Sequence, residues 1–307
     1  MEEKPQDQAP EQRWERDLIG QIALAAFEEQ KRARRWNVVF KLLLFIYLFI
    51  LLGIYLSSGL AGAKLSGDKH TALVDIEGAI MSNSPASADT VVAGLRAAFE
   101  DTNTKAVILR INSPGGSPVQ AGYISDEIYR LRKKYPDIRL YAVITDLCAS
   151  GGYYVASATD SIYADKASLV GSIGAVYEGF GFSGTLEKLG IERRLVAAGE
   201  HKGFLDPFRP LDDDGKAHVQ GLLARIHQQF INTVKKGRGN KLKRDVELFN
   251  GLIWTGEQSL ELGLIDGLGS SGYIAREIVG EEKIVDFTRR EDYFERFARR
   301  FRTSLLE

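Results

Sequence analysis

Ser150 lies in "DLCASGGYYVAS" (Asp146 to Ser157), between an apolar approach and two glycines. A hydroxyl at the start of a helix meets outward-pointing amides and a dipole that favours developing negative charge. Ser150 is therefore a candidate nucleophile, although the same position suits a serine that only caps the helix. A second loop, "NSPGGS" (Asn112 to Ser117), carries Gly115 and Gly116. Consecutive amides exposed by such a turn are the donors required by the oxyanion that forms when a hydroxyl attacks an amide carbonyl; an ordinary turn has the same composition. A serine also needs a base. His70, His201, His218 and His227 stand in no local signature of a Ser/His/Asp triad, and Asp146, four positions before Ser150, establishes no relay. Lys202, in "GEHKGFLDPFRP", has apolar neighbours that can exclude water from its amine, the condition under which lysine acts as a base. Read alone, a solvated cation is the more ordinary reading of this lysine.

These residues must be presented by regular elements. Leu140, Tyr141, Ala142, Val143 and Ile144 form a nearly continuous apolar run, the pattern of a buried strand, which delivers the chain to Ala149 and Ser150. Gly151 and Gly152 relieve crowding, and Tyr153 to Ser157 continue as a helix. Upstream, "TALVDIEGAI" and "TKAVILRINSPGG" read as two more strands, the second ending in the Pro/Gly turn. Residues Asp89 to Phe99 and "VQAGYISDEIYRLRKKY" have apolar positions every three or four residues, the helical period. Short strands interleaved with helices predict an α/β domain of undetermined strand order.

The remaining chain bounds the function. Its 40 basic and 41 acidic residues nearly cancel, which gives no support to a nucleic-acid partner. The single cysteine, Cys148, excludes an intramolecular disulfide and a multi-cysteine zinc site, and reads as a small buried hydrophobe. Lys31, Arg32, Arg34 and Arg35 precede an uncharged run from Leu42 to Ala63. At about 1.5 Å per residue that run crosses a hydrocarbon core of about 30 Å. The predicted organisation is a cytoplasmic amphipathic segment (1–41), a transmembrane anchor (42–63), a soluble α/β domain (70–270) on the outer or periplasmic side, and a C-terminal extension (271–307). "AGA" at Ala61 to Ala63 also permits a cleavage site, but the preceding polar segment is too long for an ordinary signal peptide. Tyr293, Phe297, Phe301 and Leu305 share one face of a predicted terminal amphipathic helix.

In chain order, "INSPGG", "CASGGYYVAS", "LVGSIG" and "GEHKGFLDPF", closed by "WTGEQSLELGLIDGLG" (Trp254 to Gly269), resemble the signal peptide peptidase A family of serine peptidases over about residues 70–270. The resemblance implies a crotonase/ClpP-like α/β fold and a membrane-associated peptidase with a Ser/Lys dyad. Ser150 would be the nucleophile, Lys202 the general base and Ser172 in "GSIG" the hydroxyl that orients the lysine. Gly116 and Gly151 would supply the oxyanion hole, with Gly115 an open alternative. It further implies that no metal or organic cofactor is needed, that substrates are signal-peptide remnants or other extended hydrophobic peptides, and that a homo-oligomer shields the site. The chain departs from many relatives at Ile144 and Thr145, where they carry a Met-Gly pair, and in lacking a polar residue after Lys202. Two other classes compete: an acyl-CoA enzyme sharing a backbone oxyanion hole, and a membrane adaptor that binds polypeptides without cutting them.

Overall fold

The computed structural model describes residues 10–61, 67–243 and 247–290. The chain divides into two units, Met1–Gly67 and Asp68–Glu307. The first is built on α1 (Pro10–Ala61), an unbroken helix of 52 residues. It is rich in alanine, leucine, glutamate and arginine, which favour helix, so no break marks the expected boundary at residue 41. Within it, Phe27–Gly53 is long and apolar enough to cross a membrane, its most apolar 18 residues having a mean hydropathy of 2.1.

The second unit alternates strands and helices: β1 (His70–Glu77), α2 (Ala88–Glu100), β2 (Thr104–Ser113), α3 (Pro118–Lys134), β3 (Arg139–Ala149), α4 (Gly151–Ala156), β4 (Ser161–Ala164) and β5 (Leu169–Gly171). After α5 (Ser183–Lys188) come α6 (Asp213–Arg238), β6 (Ile253–Thr255), α7 (Gly256–Glu261), β7 (Gly267–Leu268), α8 (Ser271–Tyr273) and β8 (Ile284–Asp286). The sheet order is β6-β5-β3-β2-β1-β8, with β4 paired to β3 and β7. Its pairs are parallel except β5 with β6.

The expected strands and helices around the two glycine loops are thus present, and the domain is α/β. Continuous apolar strands suit a sheet covered on both faces. On one face α2, α3, α4 and α6 bury a core that includes Leu95, Ile124, Ile128, Tyr153, Phe230 and Val234. On the other, Leu73, Ile108 and Val143 pack against Ile274 and Ala275, in the π-helical continuation of α8. Strand β8 joins the edge of β1 through Thr71 to Leu73, so the sheet runs past the expected domain boundary at 270. The predicted terminal helix face of Tyr293, Phe297, Phe301 and Leu305 lies outside the described residues.

Two local features aim the chain at the site. The register of β2 and β3 shifts between the pairs Ile111–Ile144 and Ser113–Cys148, which places extra β3 residues opposite Asn112. Such a bulge bends a strand and re-aims the residues beyond it, among them Ser150. Helix α3 starts sharply because Pro118 occupies its first turn and the Ser117 hydroxyl accepts from the Gln120 amide.

Between β5 and α6 the chain forms an arm whose apolar side chains find little cover. Val176 is 75% exposed, Phe180 82% and Val196 98%.

Candidate active site

Ser150 stands at the junction of β3 and α4 with φ 50° and ψ −121°. A non-glycine residue in such a conformation costs of order 1–3 kcal/mol and persists where the surroundings over-determine it. They do so here: the Ser150 amide donates to the Gly171 carbonyl at 2.9 Å, and its own carbonyl accepts from the Tyr154 amide at 2.9 Å. The side chain makes no helix-capping hydrogen bond. The capping alternative therefore does not account for this serine.

Ser172 is the other non-glycine residue with positive φ among the described residues, at 52°. Sheet register explains its position. Ala149 of β3 pairs with Gly171 of β5, so the next residue on each strand, Ser150 and Ser172, emerges at the same level of the sheet. Both line one cavity of about 510 Å³. The Ser172 amide donates to the Leu252 carbonyl at 2.7 Å.

The Gly115–Gly116 loop closes over the start of α4. Gly115 has φ 95° and Gly116 φ 146°. A Cβ on Gly115 would lie 2.6 Å from the Gly151 nitrogen and 2.7 Å from Ser150 Cβ, and one on Gly116 would lie 2.4 Å from the Ile80 carbonyl oxygen. Only glycine fits both the torsions and these approaches. The loop is pinned from above, since Ile80 donates to the Gly115 carbonyl and accepts from the Ser117 amide, each at 2.8 Å. The Gly115 amide donates to Ser113 Oγ at 3.1 Å. Gly116 and Gly151 also line the cavity. The Gly151 amide belongs to a first helical turn, where no intrahelical acceptor is available, and among the described residues no acceptor stands opposite the Gly116 amide.

Of the site residues expected from sequence, Ser150, Ser172, Gly116 and Gly151 thus share one cavity, and Gly115 packs directly behind Ser150. Lys202 does not join them. It sits in an exposed turn of the arm and is absent from the cavity lining. Asp146 faces elsewhere, accepting from Asn112 Nδ2 at 3.1 Å. Cys148 is buried, and burial pushes its thiol well above the ordinary range, in keeping with a packing role.

The histidines separate in the same way. His70 stacks on Phe287 at 5.7 Å, and His218 meets Phe204 edge-on at 5.6 Å. His227 lines the Ser150 cavity, with Nε2 3.1 Å from the Ile173 carbonyl oxygen. It comes from α6 together with Leu223, Ile226 and Phe230, a wall absent from the local reading of the motifs. Their spacing is that of one helical face and was a usable signal. Phe230 packs on Tyr154 with ring centroids 5.3 Å apart, which makes this side of the cavity apolar. Among the described residues, no three His, Cys, Asp or Glu side chains group in a way that could hold a metal ion.

Residues 132–284, which include both serines and Lys202, match peptidase family S49. A Synechocystis protein named provisionally as a protease is 34% identical over 208 residues, covering 67% of this chain and 72% of that protein. An Enterococcus faecium protein, provisionally named signal peptide peptidase SppA, is 34% identical over 190 residues, or 62% of this chain and 54% of that one. A Brucella abortus protein named as a Na(+)/H(+) antiporter is 41% identical over 215 residues, but the match takes in 68% of this chain and only 29% of that protein. The shared segment is therefore a minor part of the Brucella protein and about half of the Enterococcus one. Agreement between the family match, the relatives and the serine and glycine geometry leads to one conclusion: the chain belongs to peptidase family S49.

Proposed function

We propose that the chain is a single-pass, membrane-anchored serine endopeptidase that hydrolyses extended apolar peptides, including signal-peptide remnants, on a crotonase/ClpP-like scaffold. The observation that carries this reading is the strained Ser150, uncapped, in a cavity shared with the Gly116 and Gly151 amides. Ser150 Oγ attacks the scissile carbonyl and its proton passes to Lys202. The carbonyl oxygen becomes an oxyanion held by the two glycine amides, and protonated Lys202 then delivers its proton to the departing amine. Water, deprotonated by the restored lysine, hydrolyses the acyl-enzyme. Ser172, level with Ser150, orients the amine. The apolar wall of Tyr154, Leu223, Ile226 and Phe230 receives a substrate side chain.

The exposed position of Lys202 gives the homo-oligomer a chemical role. Lys202 rides on the same arm as Val176, Phe180 and Val196, whose apolar surface a second copy of the chain would cover. In that assembly the arm brings the lysine to a serine. The sharing of the cavity by His227 favours a second reading, in which that histidine is the base.

Turnover of a fluorogenic apolar peptide by detergent-solubilised protein tests both. Ser150→Ala should abolish cleavage and Lys202→Ala nearly so, with particle mass showing more than one chain. A folded Ser150→Ala protein at full rate removes the proposal. Full activity in Lys202→Ala, with loss in His227→Gln, transfers the base to His227. Turnover of a thioester in place of the peptide identifies an acyl-CoA enzyme, and no turnover of either leaves a polypeptide-binding adaptor.

A further inference from the structure

The dyad chemistry leaves the backbone around Ser172 unexplained. Its φ of 52° is unfavourable for a serine, so neighbouring contacts must hold it. On one side its amide donates to the Leu252 carbonyl at 2.7 Å. The next residue, Ile173, has a fully buried side chain, and its carbonyl oxygen lies 3.1 Å from His227 Nε2. A carbonyl only accepts, so the ring must carry its proton on Nε2, which it can do in both charge states. The segment is thereby stretched between the 250–252 loop and α6. Helix α6 is itself fixed: Asp212 caps its start by accepting from the Gly215 amide, and near its end Arg238 pairs with Asp266 at 2.6 Å.

We propose that His227 is a positioning residue, whose Nε2–H holds the Ile173 carbonyl and so keeps the Ser172 hydroxyl at the level of Ser150. This rests on the reading of Ser150 as nucleophile and Ser172 as the hydroxyl that orients its base. His227 acts through Ser172 and takes no proton from Ser150. Two substitutions separate donation from packing: glutamine can reach the carbonyl with an N–H, whereas leucine fills similar space without a donor.

The test measures peptide turnover, Ser150 labelling by a fluorophosphonate and the melting temperature, in full-length protein. His227→Leu should lower kcat roughly three- to tenfold, the worth of one hydrogen bond, with KM within about twofold. His227→Gln should recover most of that loss. The double variant His227→Leu with Ser172→Ala should be no slower than Ser172→Ala alone, because both changes remove the same function. A wild-type rate in His227→Leu overturns the inference. So does equal impairment of the leucine and glutamine variants accompanied by a lower melting temperature, which is the result of a purely structural role. A loss in His227→Gln of about a hundredfold or more overturns it in favour of a histidine base. Full turnover or labelling at another residue in Ser150→Ala rejects the nucleophile itself, and the positioning role falls with it.

Discussion

Alanine at position 115 pushes a methyl group into the back of the nucleophile. Its Cβ would lie 2.6 Å from the Gly151 nitrogen, 2.7 Å from Ser150 Cβ and 2.8 Å from the Ala149 carbonyl oxygen, all atoms of the β3–α4 junction. Heavy atoms rest at about 3.5–4.0 Å, so the loop must withdraw by roughly 0.7–1.4 Å. The torsion adds to this, since φ at position 115 is 95° and a left-handed L-residue costs roughly 1–2 kcal/mol. Withdrawal carries the adjoining Gly116 amide away from the oxyanion it is proposed to hold. Loss of one such donor costs about 10²–10³ in kcat, and a displacement near 1 Å costs about 10². Gly115→Ala should therefore lower kcat about a hundredfold. KM should change little, because the apolar wall on α6 is untouched. Gly122→Ala is the control: its Cβ meets nothing within 4 Å, and it should keep the wild-type rate while gaining up to about 1 kcal/mol of stability from helix propensity. Steady-state cleavage of a fluorogenic apolar peptide, with folding checked by circular dichroism, measures both. A folded Gly115→Ala protein within about threefold of the wild-type kcat would refute the assignment of this loop to the oxyanion.

The Arg238–Asp266 pair ties α6 to the sheet, with the arginine side chain 2% exposed and the aspartate 15%. Asp266→Asn strands a buried guanidinium and should destabilise the domain by about 3 kcal/mol in denaturant titrations. Burial alone would raise the Asp266 carboxyl, but hydrogen bonds from Arg238 and Lys241 hold it below the ordinary aspartate value. A depressed folded pKa contributes stability above the unfolded value and loses it as pH falls through the folded one, so the gap between wild type and Asp266→Asn should close on acidification below the ordinary aspartate range. A gap that widens there contradicts this coupling. For the membrane, the basic cluster of Lys31 to Arg35 predicts a cytoplasmic N-terminus, and protease added to intact cells with a permeable outer envelope should digest the large C-terminal unit. Digestion only after the cytoplasm is opened would reverse the orientation.

Much of the domain was legible because burial leaves a local trace. The apolar runs of β1, β2 and β3 and the three-to-four spacing in α2 and α3 are direct records of which faces avoid water. Ser150 was legible as a strand-to-helix junction, and the glycines of the 115–116 loop as a place of close approach. The wall from α6 was less so, since Leu223, Ile226, His227 and Phe230 carry a helical period but nothing in it says which cavity they face. Strand β8 is three residues long, too short for a periodic signal, and it joins β1 across the length of the domain.

From sequence alone came the membrane-spanning composition, the α/β alternation and the residue types that serine chemistry needs, because each is set by neighbours along the chain. Tertiary structure decided which of those residues meet. The level placement of Ser150 and Ser172 comes from the Ala149–Gly171 register, and the accessible Gly116 amide from a loop clamped by Ile80. The entry of His227 into the cavity depends on where α6 packs, and the separation of Lys202 from Ser150 on an arm that leaves the sheet. These are pairings between distant segments, settled by sheet register and by which apolar faces exclude water together, and no local pattern of residues encodes them.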